Sequence, residues 1–381
     1  MNRKSLPLIC AIALCCSSCF KDEPLNAECD IEQAYVHVDN PSEIFYNLTD
    51  TLVTVASDAD IVTFKLKDDV DLSSFAPYFK ITEGAMITPE SGSTHDFSDG
   101  PVTYTVTSED GQWSRVYQVR FRYAEVIADT VYYDFERFAL NSSGQYYEWS
   151  DLNEDGTEAN NWATANAGFA LSRSTATWDE YPTVPCEDGY DGYCVKLETC
   201  STGAFGEMVN KRLAAGNFFL GTFDISVALT STLDATCFGI PFANKPITFD
   251  GYYKYIPADE FQDSNGNIID RQDGGRVYAV FYVNHDEDNN EVMLHGDDVT
   301  SNENIVAIAD IGVIYDEVNE WAYFSADFEY GDYEVDYELL ANQGYNLAIV
   351  CSSSDQGAYY EGAIGSALYV DKFRIICETI E

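Results

Sequence analysis

VTYTVTSEDGQWSRVYQVRFR, residues 102–122, contains the pattern on which the fold prediction rests. Apolar and polar residues alternate on both sides of Asp110-Gly111, which is the period of a strand with one buried face. An Asp-Gly pair between two such runs favours a tight hairpin turn, because glycine accepts the positive φ that these turns require. The stretch therefore predicts a β-hairpin.

The same pattern continues along the chain in both directions. Runs of β-branched and aromatic residues alternate with Gly, Asn and Asp clusters, and no long helical period is present. Short strand candidates over residues 29–125 suit a small β-sandwich. Longer candidates over residues 129–381 suit one larger β-sandwich of jelly-roll type, so the chain is predicted to be all-β with two domains.

The N-terminus carries an export signal. An apolar run at residues 6–16 follows two basic residues and is too short to span a bilayer as a mature helix. Small residues before a cysteine resemble a bacterial lipoprotein signal, which makes Cys19 the first mature residue and the lipid carrier. Cys15 and Cys16 are rival positions, but only Cys19 has serine at both preceding positions.

The segment after Cys19 bears on localisation. Lys21-Asp22-Glu23 resembles a surface-export signal of lipoproteins in one phylum of Gram-negative bacteria, and the alternative is an ordinary charged tether. We expect a signal peptide at residues 1–18 and a tether at residues 19–28. The protein is then predicted to be lipid-anchored in the outer membrane, facing the cell exterior, without spanning the membrane.

The charge balance restricts the partners. The chain has 65 Asp and Glu against 20 Lys and Arg, a formal net charge of −45. Nucleic acids and anionic membrane surfaces both need a basic footprint, which is missing here. With 27 Tyr and 22 Phe the chain is also too aromatic for a solvated coil. Neutral polymers or cations are the expected partners.

The first block resembles a known module. Residues 81–111, ITEGAMITPESGSTHDFSDGPVTYTVTSEDG, are similar to immunoglobulin-like modules at the N-terminus of surface lipoproteins. In that family the module is a spacer or platform. The resemblance implies an immunoglobulin-like sandwich over residues 29–125 that carries no chemistry of its own.

The second block resembles another family. YYDFE at 132–136, FGIPFANKPITFDGYYKY at 238–255 and SSSDQGAYYEGAIGSALYVDKFRI at 352–375 look like the putative carbohydrate metabolism domain of bacterial lipoproteins. That family is attached to glycan-handling lipoproteins, and glycoside hydrolysis has been suspected for it. The resemblance implies a role in glycan capture or metabolism, together with partner proteins of a glycan-uptake system.

Sugars are bound by flat aromatic faces and by planar polar groups that satisfy hydroxyls. Most aromatic residues of a β-sandwich belong to its core, so each candidate also has a purely structural interpretation. Long connections on a rigid scaffold are the usual places for sites. The predicted ligand-binding residues are Trp162, Trp178, Tyr253, Tyr255, Tyr359, Tyr360 and Glu361.

Two acids in the loop at residues 352–366 are candidates for catalysis. Glycoside hydrolysis needs a pair of carboxylates, and Glu361 and Asp355 are the predicted pair if the protein is an enzyme. The alternative is a well-formed turn, since Gly357, Gly362 and the preceding serines satisfy the demands of a tight connection.

A structural calcium ion is the predicted cofactor. Asp134 and Glu136 begin the second block, and Asp371 lies near its end. In many sugar-binding sandwiches the first and last strands pair and hold calcium through hard oxygen ligands. These three residues are the predicted metal ligands.

Two cysteines flank a glycine-containing loop. Cys186 and Cys194 enclose EDGYDGY and are the best local candidates for a disulfide, with buried free thiols as the alternative.

The leading functional prediction is a lipid-anchored, cell-surface protein that binds a poly- or oligosaccharide. A glycoside hydrolase with two loop carboxylates is the first alternative. A structural or adhesive surface protein is the second.

Overall fold

The computed structural model describes residues 25–68, 70–153, 155–228 and 230–380. Two compact units divide between Tyr123 and Ala124, and each is described by itself. The predicted signal peptide and Cys19 lie outside the described residues.

The first unit is a small two-sheet sandwich. Its sheets have the orders β2-β1-β4 and β3-β7-β6-β5, and β3 and β7 run parallel. The unit also has helix α1 at Pro41–Ile44 and a 3-10 turn at Leu48–Thr51. Its strands in the described residues are β1 Ile31–Val36, β2 Leu52–Thr54, β3 Ile61–Leu66, β4 Pro77–Ile81, β5 Met86–Thr88, β6 Val102–Thr107 and β7 Ser114–Tyr123.

The predicted hairpin is present in this unit. Strands β6 and β7 pair antiparallel, from Val102 opposite Val119 to Thr107 opposite Ser114. Gly111 has a φ of 69° at the turn, as the Asp-Gly pair predicts. One face of the hairpin is buried, because its alternating apolar side chains pack into the core of the unit.

The second unit is larger and consists mainly of strands. Its described helices are α2 Asn166–Ser172, α3 Gly203–Met208 and α4 Tyr337–Ala341, with 3-10 turns at Trp178–Glu180 and Gly357–Tyr359. Its described strands are β8 Val126–Tyr133, β9 Phe138–Leu140, β10 Tyr147–Trp149, β11 Asp151–Leu152, β12 Glu158–Ala159, β13 Trp162–Ala163, β14 Thr183–Cys186, β15 Cys194–Glu198, β16 Cys200–Ser201, β17 Leu213–Ala214, β18 Asn217–Phe223, β19 Thr236–Phe238, β20 Ile240–Pro241, β21 Lys245–Ile256, β22 Phe261–Gln262, β23 Gly275–Val283, β24 Ile305–Ile314, β25 Val318–Asp327, β26 Tyr345–Ser352, β27 Gly362–Ala363 and β28 Ala367–Ile380.

Two sheets form the sandwich of this unit. The seven-stranded sheet has the order β13-β18-β26-β23-β24, with β19 beside β18 and β20 beside β26. The six-stranded sheet has the order β14-β15-β28-β21-β25, with β8 beside β28. Phe218 and Phe281 from the first sheet meet Phe249 and Phe373 from the second in one core. The prediction of an all-β chain with a larger, jelly-roll-type sandwich is confirmed.

The seven-stranded sheet is buried on both faces. Along β23, Val277, Ala279 and Phe281 point into the sandwich core, because side chains alternate along a strand. Tyr278 and Val280 point to the other face, where they join a second apolar cluster beneath loops and short helices. This covered outer face is where a cavity forms.

Gly84 turns at a φ of 83° and separates β4 from β5. One local feature is absent from the sequence prediction. Helices α2 and α3 were not predicted, because each has fewer than two full turns and shows no readable period.

Candidate functional site

The floor of the cavity is the outer face of the seven-stranded sheet. Two cross-strand rows cross β18, β26 and β23 in register. The first row is Asn217, Ser352 and Arg276, and the second row is Phe219, Val350 and Tyr278. A polar row therefore lies beside an apolar row on three adjacent strands.

Loops and short helices form the walls. The cavity has a volume of about 350 Å³, within the range of about 300–1,000 Å³ that is usual for small-molecule sites. Helix α2 contributes Phe169 and helix α3 contributes Phe205. The loop after β26 contributes Asp355, Tyr359 and Tyr360, so the predicted loop does line a cavity.

A buried network of hydrogen bonds holds the loop after β26 in place. Asp273 is fully buried, and its Oδ2 accepts hydrogen bonds from Ser354 Oγ at 2.6 Å and from the Ala363 amide at 2.8 Å. Burial raises the pKa of Asp273, against the effect of these donors. Thr199 Oγ1 lies 2.8 Å from Ser353 Oγ, which accepts from the Gly216 amide. Ser353 and Ser354 therefore anchor the loop through these hydrogen bonds.

Two polar side chains of the cavity have hydrogen-bonding atoms without a partner among the described residues. Asp355 Oδ2 accepts from Arg271 Nη2 at 2.7 Å and from Gln356 Nε2 at 3.1 Å. Asp355 Oδ1 is buried and has no hydrogen-bond partner among the described residues, and the same holds for Arg276 Nε. A buried polar atom left unpaired costs about 1–3 kcal/mol, so a ligand that pairs with these atoms gains free energy.

Tyr360 and Lys211 form one rim of the cavity. Tyr360 adopts a left-handed backbone with a φ of 61°, a conformation that is rare for bulky residues and more frequent at functional sites. Its hydroxyl and the Lys211 ammonium both donate to Thr232 Oγ1. Lys211 Nζ also lies 5.4 Å from the centre of the Tyr360 ring. Tyr359, by contrast, is 53% exposed and leaves its ring free for contact.

Trp162 and Tyr255 lie in the core, which corrects the ligand-binding roles predicted for them. Trp162 stacks on Phe218 with ring centres 4.3 Å apart, and it is 6% exposed. Tyr255 is fully buried, and its hydroxyl donates to the Ser353 carbonyl. Neither ring has a face free for a sugar, because strand alternation turns both into the sandwich.

Three other predicted ligand-binding residues lie outside the cavity lining. Trp178 is exposed and makes an edge contact with Tyr147. Tyr253 is half-buried against the core. Glu361 accepts a hydrogen bond from the Ser264 amide at 3.4 Å, so it braces a neighbouring loop. Of the seven predicted residues, the cavity brings together Tyr359 and Tyr360, beside the predicted acid Asp355.

The predicted calcium ligands have other partners. Among the described residues no group of three His, Cys, Asp or Glu is placed to hold a metal ion. Glu136 Oε1 accepts from the Tyr193 amide at 3.0 Å, and Asp371 Oδ2 accepts from the Asp191 amide at 3.1 Å. Both carboxylates hold the β14–β15 hairpin, while Asp134 accepts from the backbone two residues later. Calcium binding stays a prediction.

The sequence did not reveal Arg276, Tyr278, Asn217 or Lys211 as cavity residues. Arg276 and Tyr278 alternate with core residues in RVYAVFY, so the period marks them as sharing a face. The sheet and the face that they occupy depend on the order of the strands, and the alternation of residues along one strand does not reveal that order.

No helix in the described ranges is both long enough and apolar enough to cross a bilayer.

The fold defines a two-unit β-sandwich protein whose second unit contains a cavity. A family model described as "putative carbohydrate metabolism domain" matches residues 134–376, and one described as "SGBP, N-terminal" matches residues 44–120. The first match covers more than half of the chain, which therefore belongs to that family. Both resemblances inferred from the sequence are confirmed.

Two solved structures are similar to the chain. A protein described as a putative glycoside hydrolase from Bacteroides thetaiotaomicron is 34% identical, with 94% of this chain and 99% of that chain covered and a TM-score of 0.60. A protein with the same description from Bacteroides vulgatus is 36% identical, with 65% of this chain and 97% of that chain covered and a TM-score of 0.60. No curated protein matches the chain significantly.

Proposed function

We propose that this protein binds a neutral glycan at the cell surface and holds a short segment of it in the cavity on the seven-stranded sheet. One observation carries the proposal. The exposed ring of Tyr359 lines the same cavity as Asp355, whose buried Oδ1 has no partner among the described residues. The family of the second unit and the surface glycan-binding family matched by the first support it.

The chemistry of the cavity suits a sugar. A pyranose ring stacks through its apolar face on Tyr359. A sugar hydroxyl donates to Asp355 Oδ1, and another oxygen of the ligand accepts from Arg276 Nε. A net charge of −45 disfavours polyanionic glycans, so the ligand is a neutral oligosaccharide or polysaccharide segment.

The test is retention on a panel of neutral and charged polysaccharides, followed by calorimetry with the best ligand. Tyr359→Ala should weaken binding by roughly tenfold, the equivalent of about 1.4 kcal/mol. Asp355→Asn, which keeps the size but lowers the acceptor strength, should weaken it comparably. Tyr132→Ala is the matched control, because Tyr132 is 69% exposed on β8 of the six-stranded sheet.

The controls decide the location of the site. Unchanged affinity in both Tyr359→Ala and Asp355→Asn, at unchanged melting temperature, would place binding elsewhere. Loss of affinity in Tyr132→Ala instead would move the site to the other sheet. Absence of retention across plant, host and microbial glycans would leave the structural or adhesive alternative.

Glycoside hydrolysis is the second candidate function. The two similar solved structures carry that description, and a second carboxylate, Asp297, lines the same cavity as Asp355. The predicted partner Glu361 does not line this cavity and instead braces a loop through the Ser264 amide. Release of reducing ends that stops in both Asp297→Asn and Asp355→Asn would establish hydrolysis. Retention without release would establish binding alone.

The anchor belongs to the same proposal. A lipid on Cys19 would tether the protein to the outer membrane and present the cavity to the exterior. Cys19→Ser should move the protein from the membrane fraction to the soluble fraction, and intact cells should lose surface labelling. A calcium chelator added to the binding assay tests the predicted ion, because a required calcium would make retention fall.

A further inference from the structure

Cys186 and Cys194 face each other across two strands. They end β14 and begin β15 and are direct partners in the antiparallel register. Cα atoms of directly opposed residues lie about 4.5–5.5 Å apart in such a pair. A disulfide needs about 4.4–6.8 Å, so the backbone already has the spacing that a cross-link requires.

The hairpin tip between them, residues 187–193, is held in place over the outer face of the six-stranded sheet. The Tyr190 ring stacks on the Tyr252 ring of β21, with centres 3.6 Å apart. Lys254, on the same strand, forms an ion pair of 2.7 Å with Asp188. The tip therefore has one defined position, and closing it with a covalent bond demands no rearrangement of the register.

The two thiols have complementary environments. Cys186 is half-buried and within reach of solvent, whereas Cys194 is fully buried. A hydrogen bond with the Cys194 thiol lowers the pKa of Cys186 to about 6 and raises the pKa of Cys194. The thiolate is the nucleophilic form, so Cys186 is the side chain that would attack an oxidant first.

We propose that Cys186 and Cys194 are an oxidation site and form a disulfide that locks the 187–193 hairpin tip. Both thiols are free in this structure, which is the reduced form. The inference does not depend on the proposed function, because these residues do not line the cavity.

The oxidant is a small-molecule disulfide such as oxidised glutathione. The Cys186 thiolate attacks one of its sulfurs, a mixed disulfide forms and one glutathione thiolate leaves. The Cys194 sulfur then attacks Cys186 Sγ, gives up its proton, and expels the second glutathione thiolate. Two electrons pass from the protein to the oxidant, and the protein loses two hydrogens in all.

The disulfide would limit the conformations that the hairpin can adopt when it opens or unfolds. A cross-link between residues 186 and 194 restricts the unfolded chain and keeps the Tyr190 ring near Tyr252. The oxidised form should melt roughly 5 °C higher than the reduced form.

The test treats the full chain with oxidised glutathione or with dithiothreitol, blocks the remaining thiols, and maps peptides without reduction. No Lys or Arg lies between the two cysteines, so a protease that cuts within residues 187–193, for example at Glu187, is needed to separate them. In the oxidised sample the two fragments should remain joined, lighter by two hydrogens than their sum. Blocked Cys186 and Cys194 in that sample, or links to other cysteines, would overturn the proposal.

Variants separate this pair from the other thiols. Cys200→Ser is the matched control, because Cys200 is half-buried and lies opposite Ala214, away from any cysteine partner in its register. It should keep both the link and the rise in melting temperature, whereas Cys186→Ser should lose both. If Cys186→Ser does not fold, the peptide map of the unaltered protein still decides the question.

Discussion

Whether an aromatic side chain of this protein is buried in the core or exposed depends on its position in the fold and not on its residue type. Trp162 lies in β13 and stacks on Phe218 in the core, whereas Trp178 lies in a 3-10 turn and is 45% exposed. Tyr255 and Tyr359 differ in the same way. An aromatic ring on a core-facing strand position contributes to folding, and one on a loop beside the cavity is available to a ligand.

Trp162→Ala is expected to destabilise the second unit by about 3–5 kcal/mol, because it removes a large buried ring and leaves a void against Phe218. Urea unfolding measures the free energy directly. Trp178→Ala is the matched control and should change the free energy of unfolding by less than about 1 kcal/mol. Equal losses in the two variants would contradict the burial of Trp162.

Asp151 gives a pH dependence with a defined sign. Burial raises its pKa to about 6 from the ordinary value of 3.8. The folded state therefore binds this proton more tightly, and its contribution to stability, full below about pH 4, is lost as the pH rises to about 6. Asp151→Asn cannot ionise, so its stability relative to the unaltered protein should rise over that range, by at most about 3 kcal/mol.

The measurement for Asp151→Asn is urea unfolding between pH 4 and pH 7. Asp155→Asn provides the comparison from the same hairpin, because hydrogen bonds from Thr157 lower the pKa of Asp155. Its stability relative to the unaltered protein should stay nearly constant over this range, because above about pH 4 the Asp155 carboxyl is ionised in both the folded and the unfolded state. Parallel curves for all three proteins would show that Asp151 is not perturbed in the folded state.

At the scale of elements, the loop after β26 is both a shaped turn and a cavity wall. Ser354 Oγ and the Ala363 amide donate to Asp273, a buried carboxylate from a preceding loop, while Asp355 and Tyr359 line the cavity. The sequence alone left these two interpretations as alternatives. They coexist because one loop supplies both Ser354, which bonds to Asp273, and Asp355 and Tyr359, which line the cavity.

Asp273→Ala should release this loop. The change leaves Ser354 Oγ and the Ala363 amide without their buried acceptor, at a cost of about 2–4 kcal/mol. Hydrogen exchange should become faster over residues 352–366, and glycan affinity should fall with it. Asp327→Ala, which removes an exposed acid bonded to Thr248, is the control. Unchanged exchange in Asp273→Ala would remove Asp273 from the role of anchor.

At the scale of the whole molecule, two compact units carry the two families. The second unit contains the cavity, and its first strand, β8, pairs with the last strand, β28. Because this pairing lies entirely within the unit, we expect the unit to fold by itself.

A fragment of residues 124–381 is therefore expected to fold and to bind the same glycan as the full chain. A fragment of residues 134–381 is the matched comparison, because it lacks β8 and leaves an edge of β28 unpaired. It should melt at a lower temperature in a calorimetric scan. A 124–381 fragment that does not fold, or that binds no glycan bound by the full chain, would contradict the assignment of the site to this unit.

The amino-acid sequence by itself determined the all-β class, the hairpin at residues 102–122 and the two family resemblances, and it marked the loop at 352–366 as a candidate site. These depend on local alternation, on turn chemistry and on contiguous motifs, all of which are present in the linear order of residues. Only the tertiary structure decided that Trp162 and Tyr255 are core residues, that Arg276 and Tyr278 line a cavity, and that Glu361 faces a neighbouring loop. The reason is physical: period two assigns a side chain to one of two faces, but strand order and the covering loops decide which face is buried and which meets a ligand.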